Sequence, residues 1–218
     1  MRADRPKQYL PLLGRPILLR TLERLGSYPA LRGQLVGIAP DDVYWPTLSE
    51  SIPKLLGAFP GGAERADTVL NGLRALAKYA VPDDWVLVHD AARPCVRHAD
   101  IDTLLAAVAG HTDGGLLALP VSDTVKRADR DGCVEETVSR AGLWRAQTPQ
   151  VFRLGALTAA LEGARRAGVE ITDEASAMEW SGARPRLVPG HADNIKITLP
   201  EDLALAELYL RAQERGTG

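Results

Sequence analysis

Short apolar runs closed off by glycine, proline or aspartate alternate with amphipathic stretches along most of this chain, and that alternation constrains its fold most. The runs cover residues 34–39, 54–59, 85–89, 114–119, 184–188 and 194–198. They are rich in Leu, Val and Ile and too short for buried helices, as strands covered on both faces should be. Between them, helical periodicity covers 17–25, 64–79, 99–109, 154–167, 174–180 and 201–214. Strand–helix alternation implies a mostly parallel sheet with right-handed crossovers, a Rossmann-like doubly wound α/β architecture. A length of 218 residues suits one such domain. The last helix has an entrance signal: Thr198-Leu-Pro-Glu201 reads as a capping box with Pro200 in the first turn.

Two segments break the rhythm. Residues 121–147 are polar and lack a helical pattern, but carry β-prone runs at 124–128 and 133–139 around Asp129-Arg-Asp-Gly132. Asp-Gly between such runs signals a hairpin. A hairpin too polar for the core projects outward, either as a surface loop or as a dimerisation arm. The other break is the beginning. In a doubly wound sheet the first strand is central and the loop after it binds phosphate. Here the chain opens as a charged loop running into a helix, with neither.

Bulk properties exclude several classes. With 45% hydrophobic and 25% charged residues the chain reads as an ordinary globular protein. No apolar run approaches the ~20 residues of a membrane-spanning helix, so no membrane partner is expected. The charged start lacks the apolar core of a signal peptide. A net charge of −2 argues against a nucleic-acid partner. Cys95 and Cys133 are too few for a disulfide framework and lack metal-ligand spacing, which fits a cytoplasmic location.

The chemistry concentrates in a few places. In Trp85-Val-Leu-Val-His-Asp-Ala-Ala-Arg-Pro94 an apolar strand ends abruptly in His89, Asp90 and Arg93. Open α/β sheets bind ligands at the carboxyl ends of their strands. Asp90 could there hold Mg²⁺ or a substrate hydroxyl while Arg93 forks onto a phosphate; alternatively Asp90 caps the next turn and Arg93 pairs with it. Gly61-Gly-Ala-Glu-Arg-Ala-Asp-Thr68 precedes a helix. Gly61 and Gly62 allow close backbone approach to an anion or a base edge, and Thr68 could add a hydroxyl. The alternative is a tight turn whose Glu64 and Asp67 favour the helix dipole. Lys196, between Ile195 and Ile197, must reach solvent, a counter-charge or an anionic ligand. Taken singly, Lys7, Lys126 and Arg140 read as solvated cations, and His89 as a hydrogen-bonded structural histidine. There is no nucleophile–base pair and no Walker-type loop. Cations with one or two carboxylates and hydroxyls suit transfer at phosphorus, where catalysis is mostly positioning and charge stabilisation.

Together, Pro6-Lys-Gln-Tyr9, Gly61-Gly-x-Glu-Arg-x-Asp-Thr-Val69, Val88-His-Asp-Ala-Ala-Arg-Pro94, Asp123-Thr-Val-Lys126, Thr137-Val-Ser-Arg140, Gln147-Thr-Pro-Gln150, Thr172-Asp-Glu-Ala-Ser176 and Asn194-Ile-Lys-Ile-Thr198 resemble the 2-C-methyl-D-erythritol 4-phosphate cytidylyltransferases of isoprenoid biosynthesis, in family order. The resemblance implies that Lys7 and Lys196 contact the triphosphate and the charge developing at the α-phosphorus. It implies that Gly61, Gly62 and Thr68 hold cytosine and ribose, and that Asp90 and Arg93 position methylerythritol phosphate. Thr124 and Arg140 would reach from the arm into the partner's site in a homodimer, Thr148 would line the same pocket, and Mg²⁺ would ride on CTP. It also implies a strand and a glycine-rich phosphate loop of the form Pro-Ala-Ala-Gly-x-Gly-x-Arg-Met, whose end aligns with Met1. A start upstream of Met1 is therefore expected, which intact-mass measurement of the native protein would check. Ribitol-5-phosphate cytidylyltransferase, whose strand-end motif usually carries Ser-Val in place of Ala91-Ala92, and a non-catalytic degenerate relative are the competing readings.

Overall fold

The computed structural model describes residues 6–48 and 52–215. A small hairpin of β1 (Pro11–Leu12) and β2 (Arg15–Pro16) leads into α1 (Ile17–Gly26), then β3 (Gln34–Ile38), β4 (Leu55–Pro60) and α2 (Arg65–Leu76). There follow β5 (Trp85–Val88), α3 (His98–Val108), β6 (Gly115–Pro120), β7 (Val125–Ala128), β8 (Val134–Val138) and β9 (Trp144–Arg153). The chain closes with α4 (Leu154–Ala167), α5 (Glu174–Trp180), β10 (Arg186–Pro189) and α6 (Pro200–Arg215).

The main sheet has the order β10-β6-β9-β5, and a parallel pair β3-β4 stands beside it. Strands β10, β6 and β5 point the same way, while β9 runs antiparallel between β6 and β5. Successive residues serve opposite faces, as strand geometry requires. Leu116 and Phe152 pack with Leu70, Leu73, Leu157 and Met178 of α2, α4 and α5. Their neighbours Leu117 and Val151 pack with Leu104 and Val108 of α3. Helices thus cover both faces, which is the doubly wound arrangement that the alternation implied.

All the expected helices form within three residues of their predicted bounds. Two strand expectations need correction. Residues 194–198 are not a strand but an irregular segment. Conversely, β9 crosses the middle of the sheet where the sequence reads as polar. It hides Gln147, Thr148 and Gln150, and a cis Thr148–Pro149 bond, among buried apolar residues. The entrance to α6 differs too: the side chain that reaches back is Asp202, not Glu201. Its Oδ2 accepts the N–H groups of Thr198 (2.7 Å) and Leu199 (2.8 Å) and the Thr198 hydroxyl (3.0 Å).

The polar segment does form a hairpin. Val125 pairs with Val138 and Lys126 with Thr137, and Asp129 Oδ1 closes the turn by accepting the N–H groups of Asp131 and Cys133. No residue from 122 to 146 is buried. Between β3 and β5, which do not bond each other, lies a slot of about 400 Å³ flanked by Leu18 and Leu22 of α1 and Val69 and Leu73 of α2.

Candidate active site

The carboxyl end of β5 delivers Asp90, and three cations gather on it. Lys196 Nζ lies 3.1 Å and Arg93 Nε 3.3 Å from Oδ2, while Arg65 Nη2 lies 3.5 Å from Oδ1. Burial alone would raise the Asp90 carboxyl, but Lys196, Arg65 and Arg93 outweigh it and hold the group below the usual carboxylate range. The backbone here is fixed by a short relay. The Asp90 N–H donates to the Thr148 hydroxyl (3.0 Å), which bonds His89 Nδ1 (3.1 Å), and His89 Nε2 bonds the Arg93 carbonyl (2.9 Å). A carbonyl only accepts, so His89 carries its proton on Nε2.

Lys196 hangs from an irregular segment held by side chains rather than by a ladder. The fully buried Asn194 donates to the Thr148 carbonyl (2.8 Å). Its own carbonyl accepts from Arg93 Nη1 (2.7 Å) and Gln147 Nε2 (3.3 Å). On the other side Ile197 is fully buried and donates its N–H to the Ala92 carbonyl. With both neighbours pinned, Lys196 points its ammonium to Asp90.

Lys7 arrives from the opposite end of the chain, on the one-turn helix Lys7–Tyr9. Tyr9 is buried and donates its hydroxyl to Asp42 Oδ2 (2.7 Å), whose other oxygen accepts the N–H groups of Tyr44 and Trp45. That anchor sets Lys7 at the rim of a pocket of about 290 Å³ lined also by Gly37, Asp42, Asp90 and Lys196. Two ammonium groups therefore share one cavity with the carboxylates of Asp42 and Asp90 at the carboxyl edge of the sheet, where a polyanion would be received.

The other expected residues are placed as follows. Gly61 donates its N–H to the Ile38 carbonyl, and Gly62 donates to Thr68 Oγ1 (2.9 Å). A Cβ on Gly62 would stand 2.3 Å from that of Asp67, so only glycine lets the turn close on α2. Thr68 also lines the slot beside β5 rather than the lysine pocket. The Arg93 side chain is 12% exposed and already bonded to Asp90 and to Asn194, the pairing that the alternative reading anticipated. Thr148 is buried, with its hydroxyl on the Asp90 backbone. Thr124 and Arg140 lie exposed at the base of the arm's hairpin, just outside its first pair Val125–Val138, and outside this chain's own pocket.

Sequence reasoning assigned no role to Arg65, Glu174, Gln147 or Asn194. Arg65 forks onto Glu174, which is 1% exposed, with Nη1–Oε1 at 2.5 Å and Nη2–Oε2 at 2.9 Å. The available signal was a charged residue at a core position: Glu174 stands beside Ala175, Ala177 and Met178 on a buried helix face.

Comparison with known proteins settles the family. The profile of 2-C-methyl-D-erythritol 4-phosphate cytidylyltransferase matches residues 1–212. The chain belongs to that family. The cytidylyltransferase of Pseudomonas aeruginosa (strain UCBPP-PA14) is 58% identical over 204 residues, covering 93% of this chain and 87% of the relative. That of Shewanella amazonensis is 53% identical over 217 residues, covering 100% of this chain and 90% of the relative. The crystal structure of the Francisella tularensis cytidylyltransferase superposes with a TM-score of 0.85 at 36% identity, over 94% of each chain. Among the described residues of this family member, no group of three His, Cys, Asp or Glu side chains could hold a metal ion.

Proposed function

We propose that this chain transfers the cytidylyl group of CTP to 2-C-methyl-D-erythritol 4-phosphate, giving 4-diphosphocytidyl-2-C-methyl-D-erythritol and pyrophosphate. The observation that carries the reading is the convergence of Lys7 and Lys196 with Asp90 on one pocket. A phosphate monoester is largely ionised at pH 7. Its oxygen attacks the α-phosphorus in line, the bond to the β-phosphate oxygen breaks, and no general base is required. The obstacle is repulsion between two anions. Lys7 and Lys196 lower it by holding positive charge where the transition state gathers negative charge. Asp90, ionised and aligned by its cations, keeps Lys196 aimed and offers an acceptor to a substrate hydroxyl.

A Mg²⁺ ion belongs to this reading, carried by the CTP phosphates. Asp42 and Asp90 are the carboxylates of the pocket, and both are already engaged, Asp42 by Tyr9 and two backbone N–H groups and Asp90 by its cations. That suits an ion that keeps its water and leans on phosphate rather than on a protein cage. When bound it supplies charge neutralisation along the triphosphate. Gly61, Gly62 and Thr68 serve the nucleoside. Thr124 and Arg140 of the arm grip the second substrate's phosphate in a partner's site, making the active unit a homodimer. Two unpaired cysteines fit a cytoplasmic enzyme, and no described helix is long and apolar enough to cross a membrane.

Replacement of Lys196 by Ala tests the reading. Steady-state kinetics with CTP, Mg²⁺ and methylerythritol phosphate should show kcat reduced by at least ~100-fold, the size seen for a lost charge-stabilising donor. A folded variant with near-normal turnover would overturn it.

A further inference from the structure

An ionic chain leads to the pocket's carboxylate. Glu174, the first residue of α5, is almost wholly buried and holds both Nη atoms of Arg65, the first residue of α2. The clamped guanidinium turns Nη2 toward Asp90 Oδ1, while Lys196 and Arg93 take Oδ2. The order is therefore Glu174, Arg65, Asp90, Lys196, with Arg65 shared by two carboxylates and the two Asp90 oxygens divided among different cations. Glu174 itself cannot drift. Its helix begins with a capping box in which Asp173 Oδ1 accepts the Ser176 N–H, and Gln150 of β9 bonds both Asp173 Oδ2 and the Ala175 N–H.

An isolated charge as deep as Glu174 is costly, and a pair of this kind adds little to stability over a well-packed apolar substitute. A pair with its carboxylate buried and its guanidinium half-buried beside the pocket's carboxylate has a more specific use. The turn of Gly61 and Gly62 enters α2 just before Arg65, so one guanidinium ties the nucleoside side of the pocket to the residue that aims Lys196. Without it both Asp90 oxygens would be open to Lys196 and Arg93, and the carboxylate could rotate. A misplacement near 1 Å at a reacting group can cost about a hundredfold in rate.

We propose that Arg65, clamped by Glu174, is a positioning residue for cytidylyl transfer: by holding Oδ1 of Asp90 it leaves Oδ2 to orient Lys196. This inference rests on the function proposed above.

The test is the double variant Arg65→Gln/Glu174→Gln, which removes both charges together and leaves an amide pair of similar shape in place of an unpaired buried charge. Alongside it stands Lys196→Ala, and each protein is measured for melting temperature, kcat and KM for both substrates. The expected result is a folded protein with kcat reduced on the order of tenfold or more and KM for CTP within about threefold of the parent. A purely structural pair would leave kcat untouched once the protein is folded. Should the double variant fail to fold, Arg65→Lys carries the test. One ammonium cannot span Glu174 and Asp90 as a guanidinium does, so the same drop in kcat is expected. A folded variant with kcat within about twofold of the parent, beside a Lys196→Ala protein that has lost its turnover, overturns the positioning role and leaves the proposed reaction standing. Retained turnover in Lys196→Ala overturns the reaction itself.

Discussion

Burial pushes the His89 imidazole down to about 4, although the Arg93 carbonyl and the Asp90 charge favour its protonated form. At pH 7 the ring is therefore neutral and acts as a strut between Thr148 and the Arg93 carbonyl. The linkage has a definite sign. An unfolded histidine titrates near 6.5, so between about 6.5 and about 4 the unfolded chain binds more protons than the folded one. Stability from this residue is whole above pH 6.5 and is lost as the pH falls toward 4. Urea unfolding across pH 4–8 should show that slope, and His89→Gln should flatten it between 6.5 and 4. Asp90 adds a second loss at lower pH, because its depressed carboxyl must then be protonated. The buried Cys95 thiol is displaced the other way, up to about 12, and takes no part.

Individual elements show why some of the structure was legible in the residues and some was not. Helices α4 and α5 match their expected bounds because each is punctuated: α4 stops at Gly168 in a left-handed conformation, and α5 starts at Asp173. The entrance to α6 was expected to use Glu201, but Asp202 performs that task. Replacing Asp202 by Ala should destabilise the protein by about 1 kcal/mol in chemical denaturation, while Glu201→Ala should change it by less than ~0.5 kcal/mol. Strand β9 was hidden because a central strand with proline and three buried polar side chains contradicts the apolar pattern that marks strands. Each of those side chains bonds a neighbour at the site's edge: Thr148 accepts the Asp90 N–H, Gln150 bonds Asp173 and the Ala175 N–H, and Gln147 Nε2 donates to the His191 and Asn194 carbonyls. The segment 194–198 misled in the opposite sense. Ile195 and Ile197 flank Lys196 as in a strand, yet Asn194, Arg93 and Gln147 take over the bonding that a ladder would have supplied. Lys7, read in isolation, was indistinguishable from any solvated lysine; only the path of the chain brings it to Lys196.

At the scale of the whole molecule, the proposed assembly turns on the arm. Thr124 and Arg140 stand on it, exposed and away from the lysine pocket of their own chain. If they serve a partner's site, chains carrying Arg140→Ala and chains carrying Lys196→Ala should complement one another. Mixed dimers then hold one intact site each, and random reassortment restores about a quarter of the parent activity. An unmixed baseline after subunit exchange would show that each site is built from a single chain. The direction of β9 decides where that arm can grow. Strand β6 leaves and β9 returns at the same end of the sheet, the end at which β5 releases Asp90. Had β9 run alongside its neighbours, the connection would have needed a crossover to the far edge. A single reversed strand therefore acts like a hinge-post, rooting the hairpin at the end of the sheet from which Asp90 emerges.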